Sequence, residues 1–235
     1  MSTVTAGEAL GYGFINYYSV WQACIAQISP FFLAHMAALY LSEPRATAGP
    51  LSRSVQVPAW FFLPGFALSF AVINSISFTF SEFLFNNMNV IRVIAGGYIF
   101  LSGSYFIMLV GRPSWRRGDI PWLRALATFM LGVGFAVVYM PCISPTLSKI
   151  LSLSLRPASA DIGAYYALLY ATGLSLAFLL TGTVLLFLLR RVKNSSRRTR
   201  VAIGLCGVLV ALLGLMNITG LMVHYKALLL SIFET

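Results

Sequence analysis

Two cysteines have neighbours that could support thiol chemistry inside a membrane. Cys24 is followed by Pro30, and Cys142 lies between Pro141 and Pro145 in a long apolar stretch. A thiol can carry a reducing equivalent without a bound cofactor. Proline removes a backbone N–H and interrupts a helix, a defect that lipid tolerates only where the backbone is buried in protein or lines a cavity. The two motifs therefore favour a dithiol held within a membrane protein.

Other interpretations of these residues stay open. Cys24 and Cys142 could be ordinary small apolar residues of a helix core, and Cys206, which has no proline or polar neighbour, is predicted to have a packing role. Gln27 could line a polar vestibule or bond a neighbouring helix. His35, eleven residues after Cys24, could transfer protons during thiol exchange. Its position near a helix end favours the alternative of an interfacial histidine.

The composition predicts an integral membrane protein. Of the 235 residues, 59% are hydrophobic and 9% are charged, and the mean hydropathy is +0.84. A soluble domain carries about a quarter charged residues. We therefore expect one compact transmembrane domain over residues 1–235. The first eight residues have no basic region, so no cleaved signal peptide is expected.

Six apolar segments are long enough to be membrane spans, since a spanning helix needs about 20 residues. They cover residues 9–41, 57–81, 88–110, 121–153, 162–190 and 201–224. Transmembrane strands would alternate polar and apolar residues, which these segments do not. The predicted class is all-α with six transmembrane helices. The first and fourth segments are overlong and are predicted to be kinked or broken at the cysteine–proline motifs.

The basic residues predict the orientation. The net charge is +10, but most of this charge lies in short loops between apolar segments, which indicates membrane topology rather than nucleic-acid binding. Three loops hold 12 of the 16 basic residues: Arg45, Arg53, Arg112, Arg116, Arg117, Arg124, Arg190, Arg191, Lys193, Arg197, Arg198 and Arg200. By the positive-inside rule these loops are cytoplasmic and both termini are extracytoplasmic. The predicted location is a bacterial or archaeal plasma membrane, crossed several times, with an organellar membrane as the alternative.

The two halves of the chain resemble each other. Gly65 to Phe70 in the second segment is similar to Gly173 to Phe178 in the fifth. With a shift of three residues after the arginine, a second correspondence matches Arg92, Gly96 and Gly103 with Arg200, Gly207 and Gly214. Because three helices per repeat is an odd number, residues 9–110 and 121–224 are predicted to be inverted repeats. Such repeats have their working site near the membrane midplane, at the repeat interface.

One segment carries a family resemblance. Val133 to Leu147, which contains Pro-Cys-x-x-Pro, resembles the fourth-helix motif of the CcdA family, membrane electron carriers related to the central domain of DsbD. The likeness covers six helices, a Gly-Phe opening of the second and glycine-rich third and sixth helices. At the first site the family usually has three prolines, whereas this chain has Ala23, Gln27 and Pro30 at those positions.

The resemblance implies a thiol–disulfide relay of the kind used in cytochrome c maturation. Cys24 and Cys142 would form a disulfide, which a cytoplasmic thioredoxin would reduce. The dithiol would then reduce a thioredoxin-like protein outside. Pro30, Pro141 and Pro145 would support the exchange by exposing helix N-termini, which favour a thiolate, and by giving flexible joints.

Two other functions stay open from the sequence. One is a small-solute or metal-ion transporter of similar inverted-repeat plan, although such carriers usually have paired histidines or carboxylates within the membrane. The other is a membrane assembly factor that has lost its redox role. The chain has no Gly-rich phosphate loop, no Ser–His–Asp set and no metal-ligand spacing. It therefore predicts neither a cofactor nor a nucleic-acid partner.

Overall fold

Seven helices make up the part of the chain that the computed structural model describes. That part is residues 5–19, 23–42, 53–75, 87–111, 121–139, 160–190 and 196–221, with a few positions between 224 and 231. The helices are α1 (Ala6–Tyr18), α2 (Ala23–Ser42), α3 (Arg53–Ser75), α4 (Met88–Gly111), α5 (Pro121–Tyr139), α6 (Ala160–Leu189) and α7 (Ser196–Thr219). These ranges contain no strand, which confirms the all-α prediction for them.

Four helices are long and apolar enough to cross a membrane. Their candidate spans are Val55–Val72 in α3, Arg92–Val110 in α4, Ile162–Leu189 in α6 and Arg198–Thr219 in α7. Shorter apolar stretches occupy Ile28–Ser42 of α2 and Arg124–Ala136 of α5. Large apolar side chains cover the outer faces of the long helices; Leu101, Leu188 and Leu205, for example, are 62–67% exposed. Such surfaces suit lipid, and the number of six spans stays a prediction.

The first apolar segment contains two helices. Thr5 caps α1, because its hydroxyl accepts from the Glu8 backbone N–H while the Glu8 carboxylate accepts from the Thr5 N–H. α1 ends at Tyr18, and Ser19 has an extended backbone. Cys24 is the second residue of α2, as the structure describes it, and Pro30 lies inside that helix. The first helix of this segment therefore ends before Cys24, rather than at the cysteine–proline motif itself.

Aromatic side chains join four helices at the centre of the bundle. The Phe62 ring of α3 lies 4.5 Å from Phe32 of α2, 5.8 Å from Phe135 of α5 and 5.7 Å from Phe178 of α6, between ring centroids. All four side chains are fully buried. Aromatic pairs contribute about 0.5–1.5 kcal/mol each beyond the area that they bury. This cluster holds the helices that carry the candidate site.

The other main contacts are between α4 and α7, α3 and α5, and α1 and α6, with further contacts of α2 with α7 and of α4 with α5. Glycines bring α4 and α7 together. A Cβ atom on Gly214 would lie 2.7 Å from the Gly96 carbonyl oxygen, and one on Gly207 would lie 3.0 Å from the Gly103 carbonyl oxygen. A small residue at these positions allows the two backbones to meet, as is common between membrane helices.

Candidate functional site

The structure describes only part of the predicted thiol site. Cys24 and Gln27 belong to the first two turns of α2, where the backbone alone is described. Cys142, with Pro141 and Pro145, lies outside the described residues. The proximity of the two sulfurs therefore stays a prediction. Pro30 is described in full and is exposed on α2.

His35 lies inside the bundle, where α2 meets α4 and α5. Its side chain is 1% exposed. The ring packs edge to face against Phe106 of α4, 5.7 Å between centroids, and its Nε2 lies 3.0 Å from the Thr128 hydroxyl of α5. This burial differs from the interfacial histidine that the sequence favours, because the bundle covers this part of α2. An ionisable group buried among membrane helices is a functional candidate.

The hydrogen bonds of Thr128 determine which nitrogen of His35 is protonated. The Thr128 hydroxyl donates its single proton to the Arg124 carbonyl oxygen, 2.9 Å away. It must therefore accept from His35, so Nε2 carries the ring proton and the Nδ1 of the neutral imidazole is an acceptor. Nδ1 is buried and has no hydrogen-bond partner among the described residues. A buried acceptor without a partner costs about 1–3 kcal/mol, so the site keeps an unused base.

His35 and Cys24 are on one face of α2 but far apart along it. Eleven residues correspond to three helical turns and a rise of about 16 Å. Ile28 and Phe32, which lie between them along the helix, are fully buried and apolar. The backbone of α2 therefore holds the two residues three turns apart. Any proton that it exchanges belongs to a group near the C-terminal half of α2.

Asn217 of α7 is a second buried polar residue, which the sequence analysis did not single out. It is 1% exposed, and neither its amide oxygen nor its amide nitrogen has a partner among the described residues. It borders two glycines: a Cβ on Gly96 would lie 3.0 Å from its Cβ, and a Cβ on Gly134 would lie 3.8 Å from its Nδ2. An asparagine in an otherwise apolar span was the available signal.

The remaining chemistry-bearing groups are less informative. Cys206 is partly buried and packs against the hydrophobic core, in agreement with a packing role. Within the ranges that the structure describes, no three His, Cys, Asp or Glu side chains come together as a metal site. Among the described residues, His35 and Asn217 are two buried polar residues with a side-chain atom that has no hydrogen-bond partner.

The fold and surface are those of a helical membrane protein, and a comparison with curated proteins adds the family. The chain is 30% identical over 170 residues to a Haemophilus influenzae protein named "Putative cytochrome c-type biogenesis protein", a match that covers 68% of this chain and 77% of that protein. The chain therefore belongs to the CcdA-like family of cytochrome c-type biogenesis proteins, as its fourth-helix motif predicts. No family model and no solved structure matches the chain.

Proposed function

We propose that this protein carries reducing equivalents across the membrane through a Cys24–Cys142 pair. The donor is a cytoplasmic thioredoxin, and the acceptor is an extracytoplasmic thioredoxin-like protein that serves cytochrome c maturation. Family membership supports a role in that maturation. The two cysteine–proline motifs support thiol exchange as the chemistry.

The proposed cycle moves two electrons and needs no cofactor. A thiolate of reduced thioredoxin attacks the Cys24–Cys142 disulfide, which breaks and leaves one chain sulfur as a thiolate. The second thioredoxin thiol resolves the mixed disulfide, so thioredoxin is oxidised and the chain becomes a dithiol. The dithiol then reduces the disulfide of the external protein by the same two steps.

One pattern of contacts carries the proposal, because it relates the two cysteine-bearing segments. It begins where α3 crosses α5. A Cβ on Gly132 of α5 would lie 2.7 Å from the Phe62 carbonyl oxygen, and a Cβ on Gly65 of α3 would contact the Phe129 carbonyl oxygen. Each glycine therefore meets the carbonyl three residues before the other glycine.

The crossing of α1 and α6 has the same contacts. A Cβ on Gly13 of α1 would contact the Tyr170 carbonyl oxygen, and a Cβ on Gly173 of α6 would contact the Leu10 carbonyl oxygen. Again each glycine meets the carbonyl three residues before its partner. α1 thus corresponds to α5 as α6 corresponds to α3, which agrees with the sequence likeness around the two glycines of α3 and α6.

This correspondence extends to the cysteines by counting along the chain. Cys24 follows Gly13 by eleven residues, and Cys142 follows Gly132 by ten. The two cysteines therefore have equivalent positions in the sequence repeat to within one residue. A pair at equivalent points of two inverted repeats is what a site at the repeat interface needs.

The directions of the helices support inversion of the repeats. Gly96 of α4 meets Gly214 of α7, while Gly103 meets Gly207, so α4 and α7 are antiparallel. In the sequence correspondence Gly96 matches Gly207, and Gly103 matches Gly214. The Gly96–Gly214 contact therefore corresponds to the Gly207–Gly103 contact. α3 and α6 are antiparallel as well, since Phe62 pairs with Phe178 and Phe70 with Tyr170.

Thiol trapping tests the proposal. Membranes are quenched with acid, the thiols are alkylated under denaturing conditions, and the sample is labelled again after reduction. We expect Cys24 and Cys142 to be labelled only after reduction when the thioredoxin system is inactive, and before it when the system is active. Cys206→Ser should not change this pattern, whereas Cys142→Ser should leave Cys24 reactive without reduction.

The contradicting result is labelling of all three wild-type thiols before reduction, whatever the state of thioredoxin. A Cys24→Ser, Cys142→Ser double variant that still supports cytochrome c maturation would also exclude the relay. Either outcome would favour the assembly-factor or transporter interpretation.

A further inference from the structure

A groove between α3 and α6 has no part in the proposed thiol exchange. Met36 of α2 forms its floor, Ala59 and Trp60 of α3 line one side, and Leu180 and Leu186 of α6 line the other. Trp60 and Leu180 are 55% and 50% exposed, whereas Met36 and Leu186 are each 1% exposed, so the groove opens outward from the bundle. Both sides belong to candidate membrane spans. In a membrane the opening would therefore face the hydrocarbon tails of lipids.

The size and lining of the groove fit a hydrocarbon chain. Its cavity of about 230 Å³ has room for about eight groups of the size of a water molecule, at about 30 Å³ each. It is smaller than the pockets of drug-sized ligands, which measure about 300–1,000 Å³. Apolar side chains that border an unfilled space lose dispersion contacts, so a flexible chain of methylene groups would stabilise them.

A cation lies at one end of the groove. Arg190 follows Leu186 by one helical turn, and its backbone N–H donates to the Leu186 carbonyl oxygen, 3.2 Å away. Since Thr183 and Leu186 line the groove, the helical spacing puts Arg190 on the same face of the chain. On α2, Tyr40 follows Met36 by one turn, and the charge of Arg190 acts on the Tyr40 hydroxyl. The arginine therefore lies where the floor and one side of the groove both end.

The positive charge at this end of α6 has no compensation along the chain. Residues 190–200 include six Arg or Lys, whereas no Asp or Glu occurs between Asp161 and Glu234. Arg190 itself is exposed. A cluster of four to eight basic residues directly beyond a membrane helix attracts anionic phospholipids, and a guanidinium can donate two parallel hydrogen bonds to one phosphate. A cation one turn beyond a hydrocarbon-lined groove thus has the two chemistries of an anionic phospholipid in the order in which the lipid presents them.

We propose that the groove binds one anionic phospholipid, with an acyl chain between α3 and α6 and the phosphate at Arg190. The phosphate oxygens accept from the guanidinium, and the chain fills the space above Met36. The same part of α2 packs on α6, since a Cβ on Gly182 would lie 3.1 Å from the Phe32 ring and 3.4 Å from Met36. A chain that rests on Met36 therefore supports the contact between α6 and the helix that carries Cys24.

Native mass spectrometry of the purified protein tests the site, after exchange into detergent that contains equal amounts of phosphatidylglycerol and phosphatidylcholine. We expect the wild type to retain one phosphatidylglycerol. Thr183→Phe, which fills the groove, should lower this retention several-fold. Val184→Phe is the matched control, because Val184 is 53% exposed on the neighbouring face and does not line the groove.

The head group is tested separately. Arg190→Gln should lower the preference for phosphatidylglycerol over phosphatidylcholine about fivefold, the contribution of one basic residue at an anionic surface. Arg198→Gln, an exposed position of the same basic segment at the start of α7, should leave that preference close to the wild-type value. Phosphatidylglycerol should also raise the thermal unfolding temperature of the wild type and of Val184→Phe, but not that of Thr183→Phe.

Equal retention by Thr183→Phe and Val184→Phe would overturn the groove as the binding site. Equal effects of Arg190→Gln and Arg198→Gln would overturn the phosphate contact, and these two surface variants decide it even where Thr183→Phe does not fold. Wild-type protein that retains the two lipids equally, or that retains none and forms a dimer instead, would reject the proposal.

Discussion

A histidine whose one nitrogen is held by a threonine has a single nitrogen left for chemistry. In His35 that nitrogen is Nδ1, buried beside Phe106 and facing no donor among the described residues. With the Thr128 proton on the Arg124 carbonyl oxygen, the hydroxyl oxygen accepts from His35 Nε2. Its Nδ1 is therefore the atom that could accept a hydrogen bond, in the half of the bundle where α2 ends and α5 begins.

His35→Phe separates structure from function at this site. We expect its thermal unfolding temperature in detergent to be unchanged or higher, because the variant removes a buried unpaired nitrogen next to an aromatic ring. Thr128→Val should instead destabilise by about 1–3 kcal/mol, because it leaves the Nε2–H without its acceptor. Thr183→Val is the control, since that hydroxyl bonds only a carbonyl of its own helix among the described residues.

A proton-transfer role for His35 predicts more than this. Reduction by thioredoxin should be several-fold slower in His35→Phe at unchanged stability. An unaltered exchange rate in that variant would leave His35 with a structural role only.

At the scale of helices, glycines determine how closely the bundle packs. α4 and α7 meet through Gly96, Gly103, Gly207 and Gly214, with backbone atoms where side chains would otherwise be. In lipid there is no hydrophobic driving force between two apolar helices, so close van der Waals contact between their backbones supplies much of the attraction.

Gly214→Ala tests this contact. The new Cβ would lie 2.6 Å from the Phe100 Cα and 2.7 Å from the Gly96 carbonyl oxygen. We expect a loss of about 1–3 kcal/mol of stability, seen as a lower thermal unfolding temperature. Gly97→Ala on α4 is the matched control, because nothing lies within 4 Å of its Cβ position. Equal behaviour of the two variants would contradict the close packing.

At the scale of the whole molecule, the proposed inversion of the repeats predicts which side of the membrane each half of the chain faces. An inverted second repeat would expose each half of a site at the repeat interface to a different compartment, as the proposed relay between cytoplasm and exterior requires. Antiparallel α3 with α6 and α4 with α7 agree with this plan. The excess of basic residues in three loops predicts that these loops are cytoplasmic.

Reporter fusions test the orientation. A fusion after Ser196, at the start of α7, should report the cytoplasm, and one after Asn87, just before α4, should report the exterior. Fusions in the Arg190→Gln background serve as a control, since one charge of six in that loop should not reverse the chain. Identical sides for the two sites would reject both the topology and the inverted repeat.

Much of this protein could be predicted from local patterns. The apolar segments, the loop charges and the Pro-Cys-x-x-Pro motif predict a helical membrane protein of the CcdA-like family, because lipid leaves few structures open to such segments. The similarity of the Gly65 and Gly173 regions also predicts which helices correspond. These features depend on composition and on spacing along one helix, and both can be read from the chain.

Tertiary packing decided the rest. Spacing shows that His35 and Cys24 share a helix face, but not that Phe106 and Thr128 cover His35. The same holds for Asn217, which is one polar residue in an apolar span until three helices enclose it and leave its amide without a partner. Burial and hydrogen bonding depend on which helices meet and how closely. The sequence by itself thus determined the class, the family and the candidate thiols, while only the folded bundle decided which polar side chains are buried and which of their atoms lack a partner among the described residues.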